Sequence, residues 1–112
     1  MEQTILWNDF EKIDIRVGKI IKVEDFPEAQ RPAYKLTIDL GEIGTKKSSA
    51  QLVSTYSKEE LIGRQIFCVV NFPPKQVANI MSEVLVLGTP DKDGNCILAI
   101  PDREATNGGK FY

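Results

Sequence analysis

Asn71, Lys75 and Ser82 are the polar residues of this chain whose setting suggests recognition chemistry. They lie on or beside Pro73-Pro74 in the stretch NFPPKQVANIMSEVLVLG, residues 71–88. Two adjacent prolines donate no ladder hydrogen bond, so they end a strand and hold a stiff, exposed corner. Side chains on a stiff corner lose little entropy on binding, which suits recognition. An ordinary inter-strand loop is the competing reading of the same residues. Catalytic chemistry finds little support. The chain contains no histidine, the commonest general base and the usual partner of a nucleophilic Ser or Cys. Glu59-Glu60 and Asp91/Asp93 occupy a helix start and a turn, where solvated acids are ordinary. No glycine-rich phosphate loop of standard spacing occurs. Cys68 (FCVV) and Cys96 (NCILAI) sit in apolar runs and read as buried, reduced thiols. Two cysteines without histidine argue against zinc. The expectation is a binding protein with no active site, metal or cofactor.

Composition bounds the setting. A length of 112 residues, 42% of them apolar and 27% charged, fits one soluble globular domain over residues 1–112. No apolar run is long enough to cross a bilayer. Glu2 and Asp9 stand where a signal peptide needs a basic start and an apolar core, so a cytoplasmic location is expected. Net charge is −2, which disfavours indiscriminate nucleic-acid binding, but the charges are uneven. Residues 44–82 carry five basic and two acidic side chains, while residues 1–43 carry six and nine. The basic surplus therefore coincides with the segment that holds the proline corner.

Several elements must position that corner. Asn8-Asp9-Phe10-Glu11 predicts a short helix starting at Asn8. Residues 14–25 are strand-like, with Gly18 and Ile20-Ile21 interrupting alternation as a bulge or bend would. Tyr34, Leu36, Ile38 and Leu40 alternate with polar residues and give the clearest half-buried strand. A third strand is expected over residues 46–53, followed by a helix capped by Ser57 and Glu60 and stopped at Gly63. Strand four is placed at residues 65–72 and strand five around Val84–Leu87. Asp93-Gly94 turns a final hairpin that returns over Ile97–Ile100. This order predicts an all-β, five-stranded OB-fold barrel, with a short helix between strands three and four and extensions at both termini.

Particular residues also carry a family resemblance from about Phe10 onward. Asp14-Ile15-Arg16-Val17-Gly18, Lys47-Ser48-Ser49-Ala50-Gln51, Glu60-Leu61-Ile62-Gly63-Arg64, Val70-Asn71-Phe72-Pro73-Pro74-Lys75 and Ser82-Glu83-Val84-Leu85 resemble the tRNA-binding OB domain of EMAP-II-type proteins and methionyl-tRNA synthetases. Asp25-Phe26-Pro27-Glu28-Ala29, Phe72-Pro73-Pro74 and the ending Asn107-Gly108-Gly109-Lys110 are similar to the CsaA family, stand-alone homodimers associated with bacterial protein export. Around the corner, Pro74 and Gln76 stand where tRNA-binding relatives usually have a basic residue, leaving Lys75. The resemblance implies a homodimeric chaperone for unfolded or export-bound polypeptides. The alternative is an RNA-binding module whose ligand is tRNA. Polypeptide binding would use Phe72, Pro73, Pro74 and Met81, with Val77 and Ile80 packing beneath the loop. RNA binding would use Lys46, Lys47, Arg64 and Lys75 for phosphates and Ser48, Ser49, Gln51, Asn71 and Ser82 for polar contacts. Tyr34 or Phe72 would supply stacking.

Overall fold

Alternation along Tyr34–Leu40 is realised directly: Tyr34, Leu36, Ile38 and Leu40 point inward and are buried, while Lys35 and Asp39 point out. A computed structural model describes residues 3–112, so the sequence expectation resting on Glu2 lies outside the described residues. In chain order the elements are α1 (Trp7–Glu11), β1 (Ile15–Asp25), β2 (Tyr34–Asp39), a 3-10 turn (Gly41–Ile43), β3 (Thr45–Ala50), α2 (Lys58–Leu61), β4 (Gln65–Val69), β5 (Lys75–Val77), β6 (Ile80–Ser82), β7 (Leu85–Val86), β8 (Gly88–Pro90) and β9 (Cys96–Leu98). Five strands form an antiparallel sheet in the order β3-β2-β1-β4-β7. It curls into a nearly closed barrel, the OB-type architecture expected, with α2 between β3 and β4. Among the described residues, no helix is long and apolar enough to cross a membrane.

Curling needs one long strand to bend, and β1 does so at the register shift between Ile20 and Lys22. Just before it, Gly18 lets β1 close on β2. A Cβ there would stand 2.5 Å from Ile38 Cγ2 and 2.9 Å from Leu40 Cδ2. Inside the barrel, Ile20, Leu36, Ile38, Leu40, Leu52, Leu61, Ile66 and Cys68 are buried in one apolar cluster. Helix α2 contributes Leu61 and is capped as its sequence demands. Glu60 N donates to Ser57 Oγ (3.2 Å), and Ser57 N donates to Glu60 Oε1 (2.9 Å).

Closure between β3 and β7 is made by a polar clasp. Glu83 N donates to Lys47 O (2.8 Å), and Lys47 N donates to Glu83 Oε1 (2.8 Å). One residue along, the buried Ser48 hydroxyl donates to Val84 O (2.9 Å). At the opposite edge, the C-terminal segment runs beside β1 past the end of β2. Gly108 N donates to Val17 O (2.7 Å), Val17 N to Gly109 O (2.9 Å) and Phe111 N to Ile15 O (2.8 Å). Arg16 braces this edge, its Nε 2.6 Å from Asp14 Oδ1 and its Nη1 donating to Gly108 O (3.0 Å).

Several boundaries differ from the sequence expectation. Helix α1 starts at Trp7, because the Asp9 carboxylate reaches back to Leu6 N (3.0 Å) and caps the turn before Asn8. Strand β3 stops at Ala50, where Leu52 N turns back to Ala50 O (2.9 Å) and drops Leu52 into the core. Strand β4 ends at Val69, although Val70 N still reaches Asp14 O (2.8 Å). The β5–β6 hairpin was not anticipated at all. Its two-residue turn is Ala78-Asn79, with Ala78 at φ 49°, a position that usually holds Gly or Asn. That absent glycine is why the turn was illegible.

Gly18→Ala tests the close approach of β1 to β2. Overpacking against Ile38 and Leu40 should destabilise by about 1–3 kcal/mol, lowering the urea midpoint at constant m. A midpoint equal to wild type would mean that the two side chains yield freely.

Candidate ligand-binding surface

Strand register decides which side chains share a face. On the outside of the barrel, Lys22, Thr37 and Lys47 form one cross-strand row over β1, β2 and β3, and Glu24, Lys35 and Ser49 form the next. Lys47 Nζ donates to Thr37 Oγ1 (3.1 Å), and Lys22 lies 3.8 Å from Glu24. Lys35 Nζ sits 5.7 Å from the centroid of the Phe26 ring. The β5–β6 hairpin stands next to this face. Between them lies a groove of ≈ 340 Å³ whose lining includes Lys35, Leu36, Lys47, Ile80, Met81 and Glu83. The groove thus has apolar side chains in its wall and charges of both signs at its rim. Met81 is 46% exposed there.

The residues singled out from sequence fall into distinct places. Lys47 and Ser49 belong to the outer face, and Gln51 is exposed just past β3. Neighbours on a strand point to opposite faces, so Lys46 is turned away from Lys47. Ser48 is turned inward and is spent on the clasp. Ser82 joins it: its hydroxyl lies 3.3 Å from Ser48 Oγ and accepts from Ser49 N at 3.4 Å. Asn71 also has a structural task. Its Oδ1 accepts from Asp14 N (3.0 Å) and its Nδ2 donates to Lys12 O (2.7 Å), tying the end of β4 to the approach to β1. Lys75 is exposed opposite Ser82 in the hairpin, and Phe72, Pro73 and Pro74 are exposed in the loop before it. Val77 and Ile80 are half-buried.

One expectation needs correction. Tyr34 has no free ring for stacking: it is buried and its hydroxyl donates to Tyr56 O (2.9 Å). Arg64, expected as a phosphate contact, stands apart from the groove. It packs 5.2 Å from the Tyr56 ring and lines a second cleft with Lys19 and the segment 100–107. Sequence reasoning missed Glu24, Lys35 and Glu83, all lining the groove, and Lys22 in the neighbouring row. The alternation of β2 carried the signal for Lys35, but its β1 and β3 neighbours needed a register that only pairing supplies. Both cysteines are free thiols. Burial pushes the Cys68 thiol up to about 12, which leaves it protonated and unreactive at neutral pH.

Comparison with known proteins agrees with this architecture. Residues 15–110 match the family described as "Putative tRNA binding domain". The crystal structure of the CsaA chaperone protein from Picrophilus torridus is 55% identical with a TM-score of 0.90, covering 97% of this chain and 100% of that one. Chaperone CsaA from Bacillus anthracis is 47% identical with a TM-score of 0.92, covering 98% and 100%. A methionine–tRNA ligase of Methanococcoides burtonii is 35% identical over 104 residues, 93% of this chain, which spans 15% of that protein's length. The chain belongs to the tRNA-binding-domain family, in its CsaA-like branch.

Proposed function

We propose that this chain is a cytoplasmic, homodimeric chaperone that binds unfolded or export-bound polypeptides in the groove between the outer sheet face and the β5–β6 hairpin. The observation that carries the reading is the groove's mixed lining. Ile80 and Met81 offer apolar and polarisable contact, while Lys35, Lys47 and Glu83 offer both charges within the same ≈ 340 Å³. Polarisable methionine and a mixed rim suit many sequences, because neither demands one partner geometry. Exposed Phe72, Pro73 and Pro74 extend the apolar contact from the groove toward the loop. The two neighbours that are about half identical are both CsaA chaperones. Chemistry on the bound chain has no place in this reading, which needs only reversible capture.

Dimerisation is supported by apolar exposure near the termini. Trp7, Leu85, Phe111 and Tyr112 all expose large apolar surface, and Phe111 stacks edge-on against Phe67 on the outside of β4 at 5.0 Å. A standard interface buries about 800 Å² per partner, and a two-fold would cover such side chains with a second copy of themselves.

RNA binding, with tRNA as the ligand, is the second reading. It is favoured by Lys22, Lys35 and Lys47 on adjacent strands of the OB-type outer face and by the family to which the chain belongs. In it Lys47 and Lys75 contact phosphates, while Ser48 and Ser82 support the surface from below.

Capture of a denatured model polypeptide separates the two. Met81→Ala and Phe72→Ala should each weaken capture about tenfold, a loss of about 1.4 kcal/mol, with Lys75→Ala near wild type. Wild-type capture by both folded variants would sink the groove assignment. Leu85→Asp should give a monomer mass by light scattering at micromolar protein. A dimer that survives it would place the interface elsewhere.

A further inference from the structure

The second cleft is larger than the groove and shares no lining residue with it. It measures ≈ 400 Å³ and lies between the C-terminal segment 100–107 and the start of β4. Its back wall is fixed by Gln65, whose amide is fully used. Nε2 donates to Ala105 O (2.7 Å) and Asn107 Oδ1 (2.9 Å), and Oε1 accepts from Ala105 N (2.8 Å). Besides the Asn107 amide nitrogen, the side-chain groups left to meet a ligand are charged ones. Lys19 and Arg64 form no ion pair among the described residues. Arg64 is also held in place, with its Nε donating to Glu60 O (3.3 Å) and its guanidinium stacked on Tyr56. That leaves both Nη groups as a pre-set fork, the geometry that suits a phosphate. On the facing wall, Asp102 is engaged by Arg103 at 3.3 Å, and Glu104 is the acid that opposes an anion.

We propose that this cleft binds a backbone phosphate of single-stranded RNA whose path continues across the outer face of β1–β3. The inference rests on the RNA reading of that face. The connection is Lys19. Its partners are Asp39 on β2 and Gln65 on β4, and the bulge restores alternation so that Lys19 and Lys22 share the outer side. Three residues of strand separate them by about 10 Å. Arg64, Lys19, Lys22 and Lys47 then form a line of cations from the cleft to the groove. A small anion would need the cleft alone. A repeating phosphate chain uses the whole line, and each contact adds to the salt dependence of binding.

The test is fluorescence anisotropy of a labelled single-stranded oligouridine titrated with the full chain over a series of salt concentrations. Lys19→Gln and Arg64→Gln should each reduce the magnitude of the log–log salt slope by about 0.7 and weaken low-salt binding severalfold. Glu104→Gln should tighten binding, a gain that damaged folding would not produce. Lys19 is exposed and makes no ion pair, so Lys19→Gln decides the matter if Arg64→Gln proves unstable in a thermal melt. A wild-type slope for Lys19→Gln and wild-type affinity for Glu104→Gln, with a reduced slope for Lys47→Gln, would overturn the cleft while leaving the outer-face reading intact. Failure of the wild-type chain to bind the oligonucleotide even at low salt would overturn both.

Discussion

The barrel depends on a seam that ordinary strand pairing does not close. β3 and β7 meet through Glu83 and Ser48. The Glu83 amide and carboxylate bracket the backbone of Lys47, and the Ser48 hydroxyl holds Val84 O from inside. A carboxylate and a hydroxyl thus do what a run of amides and carbonyls does elsewhere in the sheet. Each such bond contributes only about 0.5–1.5 kcal/mol net, but stripping its partner from a buried group costs about 1–3 kcal/mol. Ser48 is 1% exposed, so water cannot replace its bond. The clasp also sets the position of Lys47, whose neighbour Glu83 lines the groove. One interaction therefore closes the core and shapes the recognition surface.

The two proposed ligand chemistries place different demands on this face. The outer rows of β1–β3 present lysines, with Glu24 and Asp39 interleaved. A uniformly basic face would favour polyanions regardless of sequence. Interleaved carboxylates lower that field and leave room for a polypeptide whose side chains carry either charge. With a net charge of −2, long-range steering of RNA would be weak, and under the RNA reading affinity would come from local contacts. Such contacts are sensitive to the removal of single cations.

Much of the fold was legible because its signals were local. Alternation at Tyr34–Leu40, the Ser57/Glu60 cap and the interruption at Gly18 and Ile20-Ile21 each follow from a few neighbouring residues, and each matches the structure. The candidate surface was less legible because it is built across strands. Lys47 was recognised, but its companions Lys22 and Lys35 are 25 and 12 positions away and meet it only through register. Asn71 and Ser82 were expected to meet a ligand, yet the hydrogen bonds of Asn71 tie the end of β4 to the approach to β1 and those of Ser82 join the clasp. A polar side chain with conspicuous spacing looks the same in sequence whether it holds a ligand or a loop.

The remaining wall of the groove has a different physical character from the barrel. The β5–β6 hairpin has three residue pairs, and an isolated two-stranded hairpin is marginal in water. Its turn adds a cost, since Ala78 adopts a left-handed conformation that disfavours a Cβ by about 1–2 kcal/mol. Gln76 Nε2 offsets part of this by donating to Ala78 O (2.9 Å). The hairpin is attached to the barrel side mainly through Ser82, at the edge of the clasp. Ile80 and Met81 thus ride on the least stabilised element bordering the groove, opposite a strand face fixed by the core. Under the proposed polypeptide reading, unlike chains require a pocket that adjusts at small energetic cost, and that adjustment would fall to the hairpin, leaving the barrel seam intact.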